Sequence, residues 1–224
     1  MEIKEISSIY SALPQCGAFL NIISDKSMRH VYLKGLLASS ASVFFAAVGK
    51  ESEKRKEKSE KVKGKSEKSG EKSTLTSVFI LQDNDEAGYF YHDLTQILGT
   101  DNVLFFPSSY RRAVKYAQRD AANEILRTET LSRLAAVSGN AKKRADNSNV
   151  APFLYVVTCP EALSELVVSK RRLDERTINI AVGDIVNLAD LGRKLREFGF
   201  SEVDYVYEPG QFAMRGSIVD VYSY

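Results

Sequence analysis

The stretch FLYVVT, residues 153–158, is an uncharged run rich in β-branched and aromatic side chains. Apolar residues at successive positions favour a strand that is buried on both faces rather than one with an exposed face. A second run, VLFF at 103–106, has the same character and ends at Pro107. Strands of this kind are typical of a parallel sheet covered by helices on both sides, so the two runs predict an α/β fold.

Strands and helices alternate around these runs. The predicted elements, in chain order, are a strand at 31–34, a helix at 36–48, a strand at 77–82, a helix at 84–98 and a helix at about 120–138. Strand–helix–strand order implies right-handed crossovers between parallel strands. Residues 1–171 are therefore predicted to form a doubly wound parallel α/β domain.

The pattern changes after about residue 170. Residues 176–182 alternate between polar and apolar side chains, and 188–198 repeat leucines at helical spacing. The runs VDYVYE, GQFAM and GSIVDVY then follow within 203–222, joined by Pro-Gly and Arg-Gly pairs that are typical of hairpin turns. We predict a smaller α+β domain with an antiparallel sheet over residues 172–224.

A turn at Pro209-Gly210 would fix which side chains share a face of the following strand. Phe212, Ile218 and Val219 are predicted to be core residues. Because side chains alternate across a strand, the two faces are Gln211, Ala213 and Arg215 on one side, and Phe212 and Met214 on the other.

A charged insertion interrupts the first domain at residues 50–74. Within 50–73, ten Lys/Arg accompany six Glu, and Val62 is the one apolar residue. Such a segment cannot bury enough apolar surface to offset the entropy of ordering, which favours a solvated, disordered or transiently helical insertion over a nucleic-acid tether. Its excess positive charge, against a net charge of +2 for the chain, leaves the remainder slightly acidic and argues against a basic DNA-binding face.

The remaining composition narrows the class of protein. No apolar run reaches membrane-spanning length without a charge, and the N-terminus lacks the pattern of a signal peptide. Cys16 and Cys159 are far apart and, with His30 and His92, show no metal-ligand spacing. We expect a cytoplasmic protein with reduced cysteines, no bound metal and no cofactor.

The turn before the predicted helix at 36–48 is where an α/β domain of this type binds phosphate. Against the pattern G-x-x-x-x-G-K-[S/T], Gly35 and Ser42 match, but Ser40 replaces the second glycine and Ala41 the lysine. Without lysine, nothing at this turn offers a charge to the β and γ phosphates. We interpret the turn as a degenerate P-loop, and since no other catalytic set replaces it, we expect no enzymatic activity.

Four segments carry the most specific patterns. They are VLFFPSSYRR at 103–112, NEILRTETLSRL at 123–134, VVTCPEAL at 156–163 and LREFGFSEVDYVYEPGQFAMRGSIVDVY at 195–222. Together they resemble the N-terminal, UvrB-homologous region of the bacterial transcription-repair coupling factors (Mfd). UvrB itself would keep an intact P-loop, so the vacated one favours the coupling factors.

The resemblance implies a fold and a set of partners. Residues 1–171 would be a helicase-like domain similar to domain 1a of UvrB, and 172–224 a domain similar to domain 2 of UvrB, which binds UvrA. The chain would be a non-catalytic fragment that ends inside the second domain. It would recruit UvrA for nucleotide excision repair, while RNA polymerase and DNA would be bound only by domains farther downstream.

The resemblance also implies which residues bind UvrA. Arg215 is expected to bind a carboxylate of UvrA, because a guanidinium donates several hydrogen bonds in a fixed plane. Phe200, Gln211 and Tyr222 are expected to supply contact area and orientation. Arg196, on the preceding helix, is expected to supply the basic charge that is missing just after Phe200.

Two alternatives stay open. Arg215 could form a salt bridge within the sheet, to Glu208 or Asp220, instead of binding a partner. The chain could also be a nucleotide- or DNA-binding helicase-like domain. In that case residues 39–42 would hold phosphate, and the loop 110–112 with the charged insertion would touch the DNA backbone.

Overall fold

The computed structural model describes residues 3–25, 27, 30–62, 75–110, 120–138 and 153–223. The helices are α1 (Ile3–Ser11), α2 (Pro14–Ser24), α3 (Ser40–Val62), α4 (Asn84–Leu98), α5 (Ala121–Ser138), α6 (Pro160–Ser164), α7 (Lys170–Glu175) and α8 (Leu188–Glu197). The strands are β1 (Leu75–Ile80), β2 (Val103–Phe106), β3 (Phe153–Thr158), β4 (Ser201–Glu202), β5 (Gln211–Arg215) and β6 (Ile218–Tyr222).

The first sheet is parallel, with the strand order β1-β3-β2. Val156 of the central strand pairs with Val78 on one side and Leu104 on the other. All six residues of β3 are buried. The two buried strands predicted from the sequence are thus confirmed, and the strand predicted at 77–82 begins two residues earlier.

Helices contact both faces of this sheet. Tyr91 of α4 stacks on Phe105, with 5.1 Å between the ring centroids. The Arg127 guanidinium of α5 lies 4.1 Å from the ring centroid of Phe106. Because adjacent strand residues point to opposite faces, α4 and α5 lie on opposite sides of the sheet. The predicted α/β class is confirmed at this level.

Helix α3 approaches β3 closely at Gly49. The Tyr155 hydroxyl donates a hydrogen bond to the Phe45 carbonyl at 2.7 Å. Burial raises the pKa of Tyr155, so the hydroxyl stays a proton donor. A Cβ atom at position 49 would lie 2.9 Å from this hydroxyl oxygen and 3.0 Å from the ring of Phe153. Only glycine lets the helix lie this near without displacing either ring.

Two glycine-to-alanine substitutions test this contact. Gly88, inside α4, has nothing within 4 Å of a would-be Cβ, so Gly88→Ala should stabilise the protein by about 0.5–1 kcal/mol through helix propensity. Gly49→Ala should instead destabilise it by about 1–3 kcal/mol, because the added methyl overpacks the contact. Urea unfolding measures both free energies. Equal stabilisation by the two changes would contradict the close approach.

The loop after β2 is held by a buried ion pair. Arg127 Nη2 lies 3.4 Å from Glu165 Oε2, and Arg127 also donates to the Pro107 carbonyl at 2.7 Å. Glu165 accepts hydrogen bonds from the Ser108 hydroxyl at 2.6 Å and the Ser109 amide at 3.0 Å. Burial alone would raise the pKa of Glu165, but these hydrogen bonds and the charge of Arg127 outweigh it and hold the pKa below its ordinary value.

The lowered pKa of Glu165 gives stability a defined pH dependence. A carboxyl whose pKa is lower in the folded state stabilises fully above its ordinary value of 4.5, and this contribution is lost as pH falls through the lower folded value. We expect Glu165→Gln to cost about 3 kcal/mol in unfolding free energy at pH 7 and distinctly less near pH 3. Glu175→Gln, at an exposed pair with Arg171, is the control. A loss of equal size at both pH values would contradict the ion pair.

The second sheet is mixed rather than antiparallel as predicted, with the order β4-β5-β6. The turn predicted at Arg215-Gly216 joins β5 and β6, and Gly216 has a φ of 61°, which a two-residue hairpin turn accepts readily from glycine. The turn predicted at Pro209-Gly210 joins no hairpin. Residues 203–208 form no strand, and β4 runs parallel to β5.

One further strand prediction is wrong. Residues 31–34 form no strand, and Tyr32 is 88% exposed, because this run is short and no described strand pairs with it. The alternating segment 176–182 is also irregular. There Ile178 packs against the core of the second sheet, whereas Ile180 is exposed.

Helix α3 starts four residues later than predicted and continues to Val62, through the first half of the charged insertion. Glu51 lies 4.0 Å from Lys54 and 3.8 Å from Arg55, spacings that support a helix through pairs one turn apart. The interleaved charges therefore extend the helix that the apolar pattern ended at 48. Residues 63–74 of the insertion lie outside the described residues.

Three further findings concern the cysteines, possible metal ligands and possible membrane spans. Cys16 and Cys159 are free and buried. Within the described ranges no group of His, Cys, Asp and Glu is arranged to hold a metal ion. No single described helix is both long and apolar enough to cross a membrane; residues 5–11 and 14–24 pass that test only as a pair bent by 60°.

Candidate docking surface

The second sheet is attached to α8 by an apolar cluster. Leu191 and Leu195 of the helix are buried against Phe212 of β5. A Cβ atom at Gly192 would lie 2.8 Å from the Met214 sulfur, so the helix lies very near the strand. This packing fixes the face of β5 that carries Phe212 and Met214, whereas on the other face Ala213 is buried and Arg215 is half exposed.

The alternation predicted for β5 is confirmed. Phe212 and Met214 face α8, and the Arg215 side chain is half exposed. Of the three predicted core residues, Phe212 is fully buried and Val219 is partly buried against the same cluster. Ile218 is 60% exposed, so the prediction that it is a core residue is wrong. It directly follows the turn and pairs with Arg215.

Arg215 has one partner in the sheet and one in the irregular segment before β5. Its guanidinium forms an ion pair with Asp220 of β6 and lies 5.3 Å from the ring centroid of Tyr205. The salt bridge to Asp220 that the sequence allowed is therefore present. Both side chains of the pair are about half exposed, so their outer atoms remain accessible to a partner.

Three other predicted docking residues have different surroundings. Gln211 Oε1 accepts hydrogen bonds from the amides of Tyr207 and Glu208, at 2.9 and 3.1 Å, so this side chain orients the loop before β5. Tyr222 pairs with Gln211 across the hairpin and is 43% exposed. Phe200 is partly buried in the cluster under α8. Gln211 and Tyr222 thus share the hairpin with Arg215, while Phe200 packs in the core.

Arg196 lies on the α8 side of the sheet. Its Nη2 and Nε atoms donate to Glu202 Oε2 at 2.5 and 3.1 Å, and its guanidinium lies 5.7 Å from the ring centroid of Phe212. Phe212 faces away from Arg215 along the strand. The structure therefore does not bring the two predicted arginines together on one face.

Sequence reasoning missed two exposed tyrosines before β5, of which Tyr205 lies beside Arg215. Tyr205 is 61% and Tyr207 is 77% exposed, and both lie in the irregular segment that precedes β5. The signal was present in the run Asp-Tyr-Val-Tyr. That run is typical of a strand, and a strand prediction does not indicate that Tyr205 lies beside Arg215.

The positions that the sequence compares with a P-loop, Gly35 and Ser40–Ser42, lie around the start of α3. In the described part of the chain no strand precedes α3, Gly35 lies in an irregular segment with a φ of 87°, and α3 begins at Ser40. The buried Ser42 hydroxyl lies 2.8 Å from the Ser39 carbonyl and 3.0 Å from the Asp93 carboxylate. It is engaged internally, next to a negative charge, and Ala41 offers no compensating cation.

One family model matches the part of the chain that carries the second sheet. The family model described as the UvrB interaction domain matches residues 178–224. That range contains α8 and the whole second sheet.

The chain is similar to an N-terminal UvrB-homology region of a transcription-repair coupling factor. Its sequence is 23% identical over 220 residues to the transcription-repair-coupling factor of Bacillus subtilis, covering 97% of this chain and 16% of that protein. It is 26% identical over 145 residues to UvrABC system protein B of Vibrio vulnificus, covering 62% of this chain and 18% of that protein. The predicted resemblance is confirmed, and the chain spans under a fifth of the length of these relatives.

The exposure of Arg215 predicts a small role in stability. Exposed ion pairs typically contribute less than about 1 kcal/mol, so Arg215→Ala and Asp220→Ala should each change the unfolding free energy by no more than that. Phe212→Ala should cost about 3–5 kcal/mol, because it empties a fully buried site. Urea unfolding of the three variants checks this. A loss of several kcal/mol for Arg215→Ala would make the arginine a structural residue.

Proposed function

We propose that this chain is a non-catalytic interaction module of a transcription-repair coupling factor and that residues 178–224 bind UvrA. In this role it recruits UvrA to stalled transcription complexes for nucleotide excision repair. One observation carries the proposal: the match to the UvrB interaction domain covers the unit whose exposed hairpin presents Arg215. RNA polymerase and DNA would be contacted through other domains of a longer protein.

The composition of the exposed hairpin supports docking of a protein. Arginine and tyrosine dominate binding hot spots, and Arg215 and Tyr222 of the hairpin, together with Tyr205 next to Arg215, are at least partly exposed. Asp220 and the Tyr205 ring already hold the guanidinium, which lowers the entropy lost when a partner binds it. A carboxylate of UvrA would bind the outer edge of Arg215, beside Asp220 or in its place.

The proposal includes a division of the chain close to the predicted one, between residues 1–171 and 172–224. Lys170 Nζ donates to the Ala135 carbonyl of α5 at 3.0 Å, and Leu173 lies beside Leu134. These contacts favour a boundary near residue 176. Helix α7 then belongs to the first unit, which is the part of the chain that carries the parallel sheet. The family match, which begins at 178, agrees with that position.

For the first unit we propose a helicase-like, doubly wound domain with a degenerate P-loop and a supporting role. Helices on both faces of the parallel sheet support this architecture. The Asp93 carboxylate beside Ser42 would repel a phosphate at the start of α3. This disfavours the alternative of a nucleotide-binding domain, and a cytoplasmic location follows from the proposed role.

Calorimetric titration of UvrA, without nucleotide, tests the docking role. Wild type should bind, and Arg215→Ala should lose about 2 kcal/mol or more, as is typical of a hot-spot arginine. Asp220→Asn should bind at least as well as wild type, because the amide oxygen can still hold Arg215 while the negative charge that competes with the partner's carboxylate is removed. Arg171→Ala, at an exposed ion pair outside residues 178–224, is the matched control and should match wild type.

Two outcomes would contradict the proposal. Equal binding by wild type and Arg215→Ala would remove the arginine from the interface. Failure of wild type to bind UvrA, together with tight binding of magnesium ATP, would favour the nucleotide-binding alternative.

A further inference from the structure

A cleft of about 570 Å³ opens beside Arg215, at the point where β4 ends. One wall is residues 202–205, and the other is Met214 and Arg215. The cleft exists because β4 stops at Glu202 while β5 continues to Arg215, so the chain that leaves β4 diverges from its neighbour. A cleft of this size can receive a side chain from a docked protein.

The charges around the cleft are unequally satisfied. Arg215 is paired with Asp220, and Glu202 accepts both of its hydrogen bonds from Arg196 through Oε2. Asp204 is exposed, and no group in the described part of the chain forms a hydrogen bond or ion pair with its side chain. The unpaired Asp204 carboxylate therefore lines the cleft. The Glu202 carboxylate also lines it, and its Oε1 takes no part in the hydrogen bonds from Arg196.

We propose that this cleft takes a basic side chain, arginine or lysine, from the protein that docks on residues 178–224. The proposal rests on the docking function above and specifies the chemistry of the partner. Carboxylate oxygens of Asp204 and Glu202 accept charge-assisted hydrogen bonds. The Tyr205 ring, which lies 5.3 Å from the Arg215 guanidinium, also lines the cleft and would attract the incoming cation. The apolar part of Met214 receives the methylene stem.

The partner segment should thus carry a basic residue close to an acidic one. The basic residue enters the cleft, and the acidic residue meets Arg215 on the neighbouring wall. Such an alternation of charges gives a docked segment a fixed register, since a shift would place like charges together.

The charge of the whole unit favours a protein over other occupants. Residues 178–224 contain seven Asp/Glu and four Lys/Arg. A net negative unit repels the phosphate backbone of a nucleic acid. It also repels a second copy of itself, so a partner with a basic surface is the complementary occupant.

The first arm of the test compares charge variants for binding of UvrA by calorimetry, using the full chain. Asp204→Asn should weaken binding about tenfold and Asp204→Lys about a hundredfold or more, as expected for a close interfacial charge pair. Asp174→Asn removes a carboxylate of the same kind from exposed helix α7, outside the matched range, and should bind like wild type. Circular dichroism confirms that each variant is folded.

The second arm does not depend on UvrA. The chain has three methionines, so methyl-labelled methionine gives a resolvable signal for Met214, assigned with Met214→Leu. N-acetyl-arginine methylamide should shift that signal saturably. The isosteric but uncharged citrulline compound should not, and Asp204→Asn should weaken the arginine effect several-fold.

The two arms separate the possible failures. If UvrA binds wild type but Asp204→Lys binds equally well, and the arginine compound gives no saturable shift, the cleft proposal is overturned while the docking function stands. If UvrA does not bind at all but the arginine compound does, the cleft keeps its chemistry and the choice of UvrA is wrong. Concentration-dependent self-association that Asp204→Lys abolishes would show a second copy in the cleft and overturn the proposal.

Discussion

The first sheet depends on the complete burial of its central strand. With helices on both faces, every polar group of β3 needs a partner inside the protein, because an unsatisfied buried group costs about 1–3 kcal/mol. The Tyr155 hydroxyl finds one in the Phe45 carbonyl of α3, and Thr158 Oγ1 finds one in the Phe106 carbonyl at 2.8 Å. The first of these bonds requires α3 to lie against the strand, and Gly49 allows that approach.

The elements predicted correctly are those with strong internal signals. The uncharged runs at 103–106 and 153–158 fit only a buried strand. The amphipathic run at 84–98 fits only a helix with one buried face. The run at 31–34 has β-forming residues, but no pattern in a single sequence says whether a strand lies beside it. Conversely, the helix predicted to end at 48 continues through a charged segment. Ion pairs one turn apart can extend a helix that hydrophobic periodicity does not detect.

In the candidate docking surface too, some positions follow from the sequence and others do not. Alternation along β5 predicts that Phe212 faces inward and Arg215 outward, because the period of a strand does not depend on its neighbours. The course of residues 203–208 depends on how far β4 extends, and the sequence does not encode that locally. The position of Tyr205 beside Arg215 was therefore missed. Asp220 was foreseen as a partner because the two-residue turn at Gly216 places it diagonally across the hairpin from Arg215.

The ion pairs of Arg196 and Arg215 are better explained by binding specificity than by folding stability. Exposed ion pairs add little to the free energy of folding, yet Arg215 and Arg196 are each paired with a carboxylate. Such pairing cancels the long-range attraction that a bare arginine has for any anion, including the phosphates of DNA. It leaves planar hydrogen-bond donors in fixed positions, and a protein surface of matching shape can use them at short range. For a unit proposed to act beside DNA, an arginine that is held and neutralised discriminates between partners better than a free one.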